Sequence, residues 1–326
     1  MNFTKILASA VYLFSVGIAN SSNADEWITH TLESAQYNYE ECSAEMAAIV
    51  GTISRKENIE LPDYGKVIVV NIASGIVTAY EDGIPVIESK GVVGKANTPT
   101  PEMSTHVTFV RPNPTWTVPK SIIKRNNWLD RLSTEPDFFD RNNFKITSNG
   151  RTISAYEASY DPESVDSFMQ MPGQGNALGL IKIGIQNNQA IYLHDTNSPE
   201  KFNEEVRAAS AGCVRIDKIY DIASWVLDIS PDSMNDLIES NNTENLTPPE
   251  EVKVILGYWT AWPDSSGRVR FYPDIYGKDN ICGQQHTYTS EPNDQHYDSR
   301  TKPRFIPHAN NNEPATPQWT VYEATR

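Results

Sequence analysis

From Lys66 onward the chain alternates β-branched runs with short turn dipeptides: residues 67–72, then Ser74-Gly75, then 76–80, then Asp82-Gly83, then 84–87. Runs of Val and Ile at this spacing, interrupted by Gly-bearing pairs that accept positive φ, predict strands joined as hairpins. A further strand is predicted over 106–110. It leads into a proline-rich crossing, 111–119, which its prolines keep extended. Residues 120–175 are long, polar and weakly periodic, with aromatic side chains at Trp128, Phe138, Phe139, Phe144, Tyr156, Tyr160 and Phe168. Such a stretch reads either as a lid or binding loop or as a surface insertion with a small core of its own. Strand signals return at 180–185 and 190–194. Residues 217–227 predict a helix, with Asp217 as N-cap and Ile219, Ile222, Ala223, Val226 and Leu227 on one face. A last hairpin is predicted from 252–260 and 268–271 around the turn 263–267. Residues 25–60 are helix-compatible but polar, with Ala47, Ala48, Ile49 and Val50 as their one apolar cluster, and read as a short leader, not a domain. The Asn-, Pro-, Thr- and His-rich tail, 283–326, reads as disordered, and there are no internal repeats. The fold class expected is mainly β with a few helices.

Composition narrows this picture. The 326 residues are 39% hydrophobic, ample for a core and for at most about two domains. The 21 prolines and 15 tyrosines argue against a helical bundle. With 27 Lys and Arg against 42 Asp and Glu, the formal net charge is −15. A nucleic-acid binder or an anionic-membrane surface protein needs a positive field, so neither is expected. At the start, Lys5 precedes an almost wholly apolar run, 6–19, and the small residues Ser22-Asn23-Ala24, the pattern of a secretory signal peptide over 1–24 cleaved after Ala24, or alternatively after Ala19. The apolar run falls short of the ~20 residues a bilayer span needs. No cysteine lies near the cleavage site to carry a lipid, and no later stretch is long and apolar enough to span. The expected location is therefore the periplasm.

Export gives the three cysteines meaning, because an odd number in an oxidising compartment leaves one thiol unpaired within the chain. Cys42 and Cys282 lie in polar contexts near the two ends of the ordered chain, whereas Cys213 ends the small-residue run Ser210-Ala211-Gly212-Cys213 and is followed by Val214 and Arg215. A Cys42–Cys282 disulfide with Cys213 free is the pairing expected; three unpaired thiols are the alternative. His194 closes the strand-like run Ile191-Tyr192-Leu193-His194-Asp195-Thr196 upstream of Cys213. A thiol is mostly protonated at neutral pH, so a nucleophilic cysteine needs a base or a positive neighbour, and His194 and Arg215 are the candidates. Small residues at 211 and 212 would let backbone N–H groups approach a developing oxyanion. By residue type alone, a lone Cys and a lone His in an exported protein are more often a buried thiol and a surface imidazole than a catalytic dyad.

The run His194-Asp195-Thr196, Arg207, Ser210, Gly212-Cys213-Val214-Arg215 resembles the signature of the L,D-transpeptidase (YkuD) family, H-[GD]-T…R-x-x-S-x-G-C-[IV]-R. The resemblance covers roughly 60–280. It includes, in family order, the 67–72 strand, Val92 to Lys95 with Thr98-Pro99-Thr100-Pro101, Asn113 to Pro119 with Trp116, and Asn176 to Gly179. The closing Tyr258-Trp259-Thr260-Ala261-Trp262 and Asp274-Ile275-Tyr276 are similar to the larger, YcbB-like Gram-negative branch, whose lid-bearing insertion falls where 120–175 lies here. Two positions depart from that pattern: Ala211, where many relatives have His or Ser, and Met169, where Arg commonly precedes Gln170. The chain also has no room for the extra peptidoglycan-binding domain of larger relatives, so wall targeting is expected from the catalytic domain or a partner.

The resemblance implies a YkuD β-sandwich catalytic domain over 61–282 with a lid over about 120–175. It implies Cys213 as nucleophile, His194 as base, the Asp195 backbone carbonyl orienting the ring, and the Gly212 and Cys213 N–H groups as oxyanion donors. Tyr192, Thr196, Arg207, Ser210, Arg215 and Asn176 become candidate substrate contacts or loop braces, and Trp116 a core residue. The implied substrates are peptidoglycan stem peptides, joined by 3-3 cross-links to a diaminopimelate amine, with no metal or cofactor. Two other acceptors fit the same residues, water in an L,D-carboxypeptidase or a lipoprotein lysine. A non-catalytic periplasmic wall-binding module is the alternative of another class.

Overall fold

The computed structural model describes residues 24–285 apart from 58, 60 and 265. Residues 1–23, where the signal peptide is expected, and residues 286–326, where the disordered tail is expected, lie outside the described residues. In chain order the elements are helices α1 (Ala24–Ala35) and α2 (Ala44–Lys56), then strands β1 (Lys66–Asn71), β2 (Ile76–Glu81), β3 (Ile84–Gly94) and β4 (Met103–Pro112). An insertion follows with β5 (Trp116–Thr117), α3 (Lys120–Arg125), α4 (Trp128–Thr134), α5 (Asp137–Arg141), β6 (Phe144–Ser148), β7 (Arg151–Ile153), α6 (Ala155–Ala158) and β8 (Val165–Gln170). The chain then forms β9 (Ile181–Ile185), β10 (Tyr192–His194), β11 (Ala208–Ser210), β12 (Val214–Ile216), α7 (Ile219–Leu227), α8 (Pro231–Glu239), β13 (Val252–Gly257), β14 (Ala261–Pro263) and β15 (Val269–Phe271).

The main sheet runs β11-β3-β12-β10-β9-β4-β13-β1-β2, and a further β2–β3 pairing closes it on itself. The closure comes from two long strands that each serve both layers. β3 pairs with β2 as far as Lys90 and with β12 at Gly91 and Val92. β4 pairs with β13 from Met103 to His106 and with β9 from Val107 onward. Strands that switch sheets in this way make the corners of a β-sandwich. At the β3 corner only glycine fits, because a Cβ on Gly91 would lie 2.9 Å from Val77 Cγ2.

The alternation along β1 shows why its run of Val and Ile is unbroken. Ile68 and Val70 point between the layers, into a core with Ile181, Ile183, Leu193, Val214, Ile216 and the apolar face of α7. Val67 and Val69 point the other way, into a second core with Ile28, Leu32, Ala48, Ile49, Ile255 and Trp259. Both faces of β1 are thus dry, so residues 67–70 are all apolar and only the strand ends, Lys66 and Asn71, are polar. The stretch 25–60, read from sequence as a short leader, supplies the second core: α1 and α2 cover that face. The Cys42–Cys282 disulfide, 240 residues apart in sequence, joins the start of α2 to the end of the described chain. Arg55 of α2 adds a 2.7 Å ion pair to Asp279.

Two further corrections concern element ends. Asp217 is not an N-cap. Its N–H donates to the Lys90 carbonyl, extending the β12–β3 pairing by one residue, so the helix begins later, with Lys218 at the cap position and no side-chain cap bond. Nor do residues 252–260 form the predicted hairpin. β13 lies parallel to β1 and antiparallel to β4 in the middle of the sheet, and the hairpin is β14 with β15.

The insertion folds as a four-stranded sheet, β5-β8-β6-β7, over its own core. Trp128 occupies the centre, with edge-on contacts to Phe139, Phe144 and Phe168 at ring-centroid distances of 5.6, 5.1 and 5.4 Å. Tyr156 and Tyr160 remain exposed. The neck of the insertion is pinned by buried Asn176, whose amide donates to the carbonyls of Pro114, Gln170 and Met171.

Candidate active site

Strand register alone gathers the candidate residues. In the parallel β10–β12 pair, Leu193 lies beside Val214 and His194 beside Arg215; in the antiparallel β10–β9 pair, His194 lies beside Lys182 and Tyr192 beside Gly184. Leu193 and Val214 point into the core. Alternation therefore turns Tyr192, His194, Lys182, Arg215 and the preceding Cys213 to the opposite face. β4 extends the row, with Arg111 beside Lys182. The turn before β10 is fixed by Asn187, whose Oδ1 accepts from Gln189 N–H and Ile191 N–H. It puts Ala190 at φ +56°, which shortens the strand predicted from 190.

The loop that presents Cys213 is held from three directions. Ser210 Oγ donates to the Cys213 carbonyl at 2.6 Å and accepts from the Gly212 N–H at 3.1 Å. Thr100 Oγ1 donates to the Gly212 carbonyl at 2.8 Å and accepts from the Gly94 N–H at 2.9 Å. The Tyr276 hydroxyl joins the same knot, donating to the Gly94 carbonyl and accepting from the Thr100 N–H. Tyr276 N–H in turn donates to the Tyr258 hydroxyl, which donates to Asp274 at 2.6 Å. Two consequences follow. The Gly212 N–H, expected as an oxyanion donor, donates to Ser210 Oγ in this structure. Because a peptide unit is planar and trans, anchoring the Gly212 carbonyl on Thr100 turns the Cys213 N–H away from Thr100 and fixes its direction.

Cys213 is the free cysteine and is half-buried. Its Sγ lies 3.6 Å from the Ala190 carbonyl, and Tyr192 is the neighbour whose polar groups pull the thiol down against burial. Trp116, expected to be core, is close enough to Tyr192 to oppose the upward push of burial on its hydroxyl, so the insertion comes up to the site there. Burial pushes the Cys213 thiol above its ordinary value, against the opposing pull of Tyr192, Lys182 and Arg215. Burial, Arg215 and Lys182 push His194 down to about 3, against the Asp195 backbone carbonyl that accepts from the ring. His194 Nδ1 is buried without a partner, and the Asp195 backbone carbonyl favours a ring proton, an arrangement that suits a proton on Nε2 with Nδ1 as the base.

The resting pair is therefore a neutral thiol and a neutral imidazole. Alkylation of Cys213 by iodoacetamide should accelerate by about tenfold per pH unit from about pH 6 to 9, following the thiolate fraction. A pH-independent rate across neutrality would show a thiolate–imidazolium pair instead.

The family model described as the L,D-transpeptidase catalytic domain, YkuD, matches residues 65–255. The chain belongs to this family. A Haemophilus influenzae protein whose name assigns it provisionally as an L,D-transpeptidase is 33% identical over 227 residues, 67% of this chain and 46% of that protein, so the chain spans just under half the relative's length. Among solved structures, the L,D-transpeptidase from Mycobacterium smegmatis is 14% identical with a TM-score of 0.28 over 59% of this chain and 58% of its own. L,D-transpeptidase 3 from Mycobacterium tuberculosis is 12% identical with a TM-score of 0.29 over 59% and 60%. Superposition at those scores carries no weight for the architecture, which rests on the sheet described above.

The other YkuD motif positions of this chain hold backbone. Asp195 Oδ2 accepts from the Leu180 N–H at 2.9 Å, and Gly179 is required beside it: its φ is +61° and a Cβ there would lie 2.3 Å from the carboxylate. Thr196 Oγ1 accepts from Ser198 N–H, closing the turn after the motif. Arg207 donates to the carbonyls of Ser74, Gly75 and Gly91 and lies on the brace side of the loop, away from the thiol. Asn176 belongs to the neck of the insertion. Lys182, Thr100, Tyr276 and Ala190 were not singled out by the sequence as site residues. Of these, Thr100 and Tyr276 lie in segments that carry the family resemblance, and Lys182 was legible only as the charge in an apolar strand, Ile181-Lys182-Ile183-Gly184-Ile185. Among the described residues no group of His, Cys, Asp and Glu is placed to hold a metal ion, and no helix is long and apolar enough to cross a membrane.

Proposed function

We propose that this chain is a peptidoglycan L,D-transpeptidase that works through a Cys213 thioester. The observation that carries the reading is the placement, on one face of the sheet at the adjacent strands β10 and β12, of the free thiol and a buried imidazole whose Nδ1 has no partner. In the forward step Cys213 Sγ attacks the carbonyl joining the L-centre of residue three to D-alanine four, and His194 Nδ1 takes the thiol proton. The oxyanion faces the Cys213 N–H, whose direction Thr100 fixes through the Gly212 carbonyl. Collapse breaks the peptide bond, and His194 returns the proton to the departing D-alanine amine. A diaminopimelate amine of a second stem then attacks the thioester and loses its proton to His194, and the thiol is regenerated with a 3-3 cross-link formed.

Three further assignments belong to the same proposal. Residues 1–24 export the chain to the periplasm, a location supported by the Cys42–Cys282 disulfide, which needs an oxidising compartment. The insertion acts as a lid over the substrate, supported by Trp116, which brings the insertion up to Tyr192 beside the thiol. Tyr192 positions the thiol. The test is mass spectrometry of disaccharide-tetrapeptides after incubation with the protein. Dimers carrying 3-3 links are the expected product; tripeptide monomers would make the chain an L,D-carboxypeptidase, and unchanged tetrapeptide would overturn the assignment.

A further inference from the structure

A row of cations crosses the site in a chain of net charge −15. In register across four strands stand Arg111, Lys182, His194 and Arg215. Among the described residues none of the three cations is in an ion pair. Arg111 is over the Phe109 ring with its Nε on Asn245; Lys182 is over the Tyr192 ring, its ammonium 4.0 Å from the centroid. Arg215 Nε is buried with no hydrogen-bond partner. Burial and Arg111 both hold the Lys182 ammonium below its ordinary value, so it is a desolvated charge with a like charge behind it. Cations held apart from counter-ions in a chain rich in carboxylates mark a place for an anion that arrives with the substrate.

We infer that Lys182, backed by Arg111, binds the free α-carboxylate of the single residue that follows the scissile bond. The inference rests on the reaction proposed above and deepens it. The departing amine must come to His194 to receive its proton, and in an amino acid the carboxylate begins two bonds from that nitrogen. Neighbouring strands are ~4.8 Å apart, so a carboxylate starting at His194 reaches the adjacent strand on one side or the other. On one side lies Arg215, on the strand that Cys213 leads into, where the acyl group stays attached. On the other lies Lys182, where the leaving residue departs. The consequence is that a donor amidated at that carboxylate loses its contact to Lys182 and is a poor substrate.

The experiment uses the full chain with two readouts. In the first, N-acetyl-D-alanine or its amide competes with iodoacetamide for access to Cys213, which requires no turnover. The acid should protect and the amide should not; Lys182→Met should remove the protection, and Lys182→Arg should keep it. In the second, kcat/KM is compared for a tetrapeptide with a free or an amidated terminus, where amidation should cost about ten- to a hundredfold, chiefly in KM. Lys182→Met should bring the free acid down toward the amide. Equal protection by acid and amide, or a Lys182→Met protein that discriminates as the wild type does, would overturn the inference. Lys182-dependent protection without any release of D-alanine would uphold the anion site and sink the proposed reaction instead.

Discussion

Replacing Cys213 by alanine should reduce D-alanine release from a tetrapeptide by about 10⁴-fold or more while leaving the unfolding free energy within about 1 kcal/mol of wild type. The separation follows from where the loop takes its support. Ser210 and Thr100 hold backbone atoms of Gly212 and Cys213, not the sulfur. The thiol's own contact to the Ala190 carbonyl is a long one, 3.6 Å. Removing the sulfur thus deletes the nucleophile and little else. His194→Ala should cost a comparable factor, and the double variant scarcely more, because the two groups act as one unit. Turnover kinetics beside a chemical denaturation curve check both halves. An alanine variant that still releases D-alanine at the wild-type rate would place the chemistry elsewhere.

Breaking the Cys42–Cys282 disulfide should produce the largest loss of stability available from a single bond in this chain. The two cysteines are 240 residues apart, and loop-closure entropy for a cross-link of that span comes to roughly 5 kcal/mol, with measured costs of native disulfides about 2–5 kcal/mol. The bond also acts on the site. It tethers the segment bearing Asp274, Tyr276 and Asp279, and Tyr276 carries the knot with Thr100 and Gly94 that sets the Gly212–Cys213 peptide. Cys42→Ser with Cys282→Ser should therefore lower the urea midpoint and slow acylation of Cys213 together. Equal midpoints for the double variant and the wild type would show that the Arg55–Asp279 pair and the packing of α2 suffice alone.

The parts of this molecule that were legible in sequence are those where a local rule and the global fold agree. The hairpins of 66–94 combine period-two burial with Gly-bearing turns, and the His194 and Cys213 motifs lie on adjacent paired strands, so their spacing in sequence translates directly into proximity. The aromatic residues of 120–175 other than Tyr156 and Tyr160 fold into a core around Trp128, as the second of the two readings of that stretch had it. The leader was misread because α1 and α2 each bury one stripe under a polar exterior; Ile28 and Leu32 are two apolar residues among charged neighbours, and their partners Val69 and Trp259 lie far away in sequence. Gly212 illustrates a different limit. A small residue next to a cysteine invites an oxyanion reading, but whether its N–H is free depends on Ser210 Oγ, a contact no spacing rule reports. Lys182 needed register, which only the folded sheet supplies.

Intact-protein mass spectrometry of the full chain mixed with a tetrapeptide donor in the absence of acceptor tests the central claim most directly. The account predicts a covalent adduct equal to the donor less D-alanine, mapped to Cys213, discharged on adding a diaminopimelate-bearing stem, and absent from Cys213→Ala. Release of D-alanine with no adduct on Cys213, or an adduct that persists in Cys213→Ala, would contradict it.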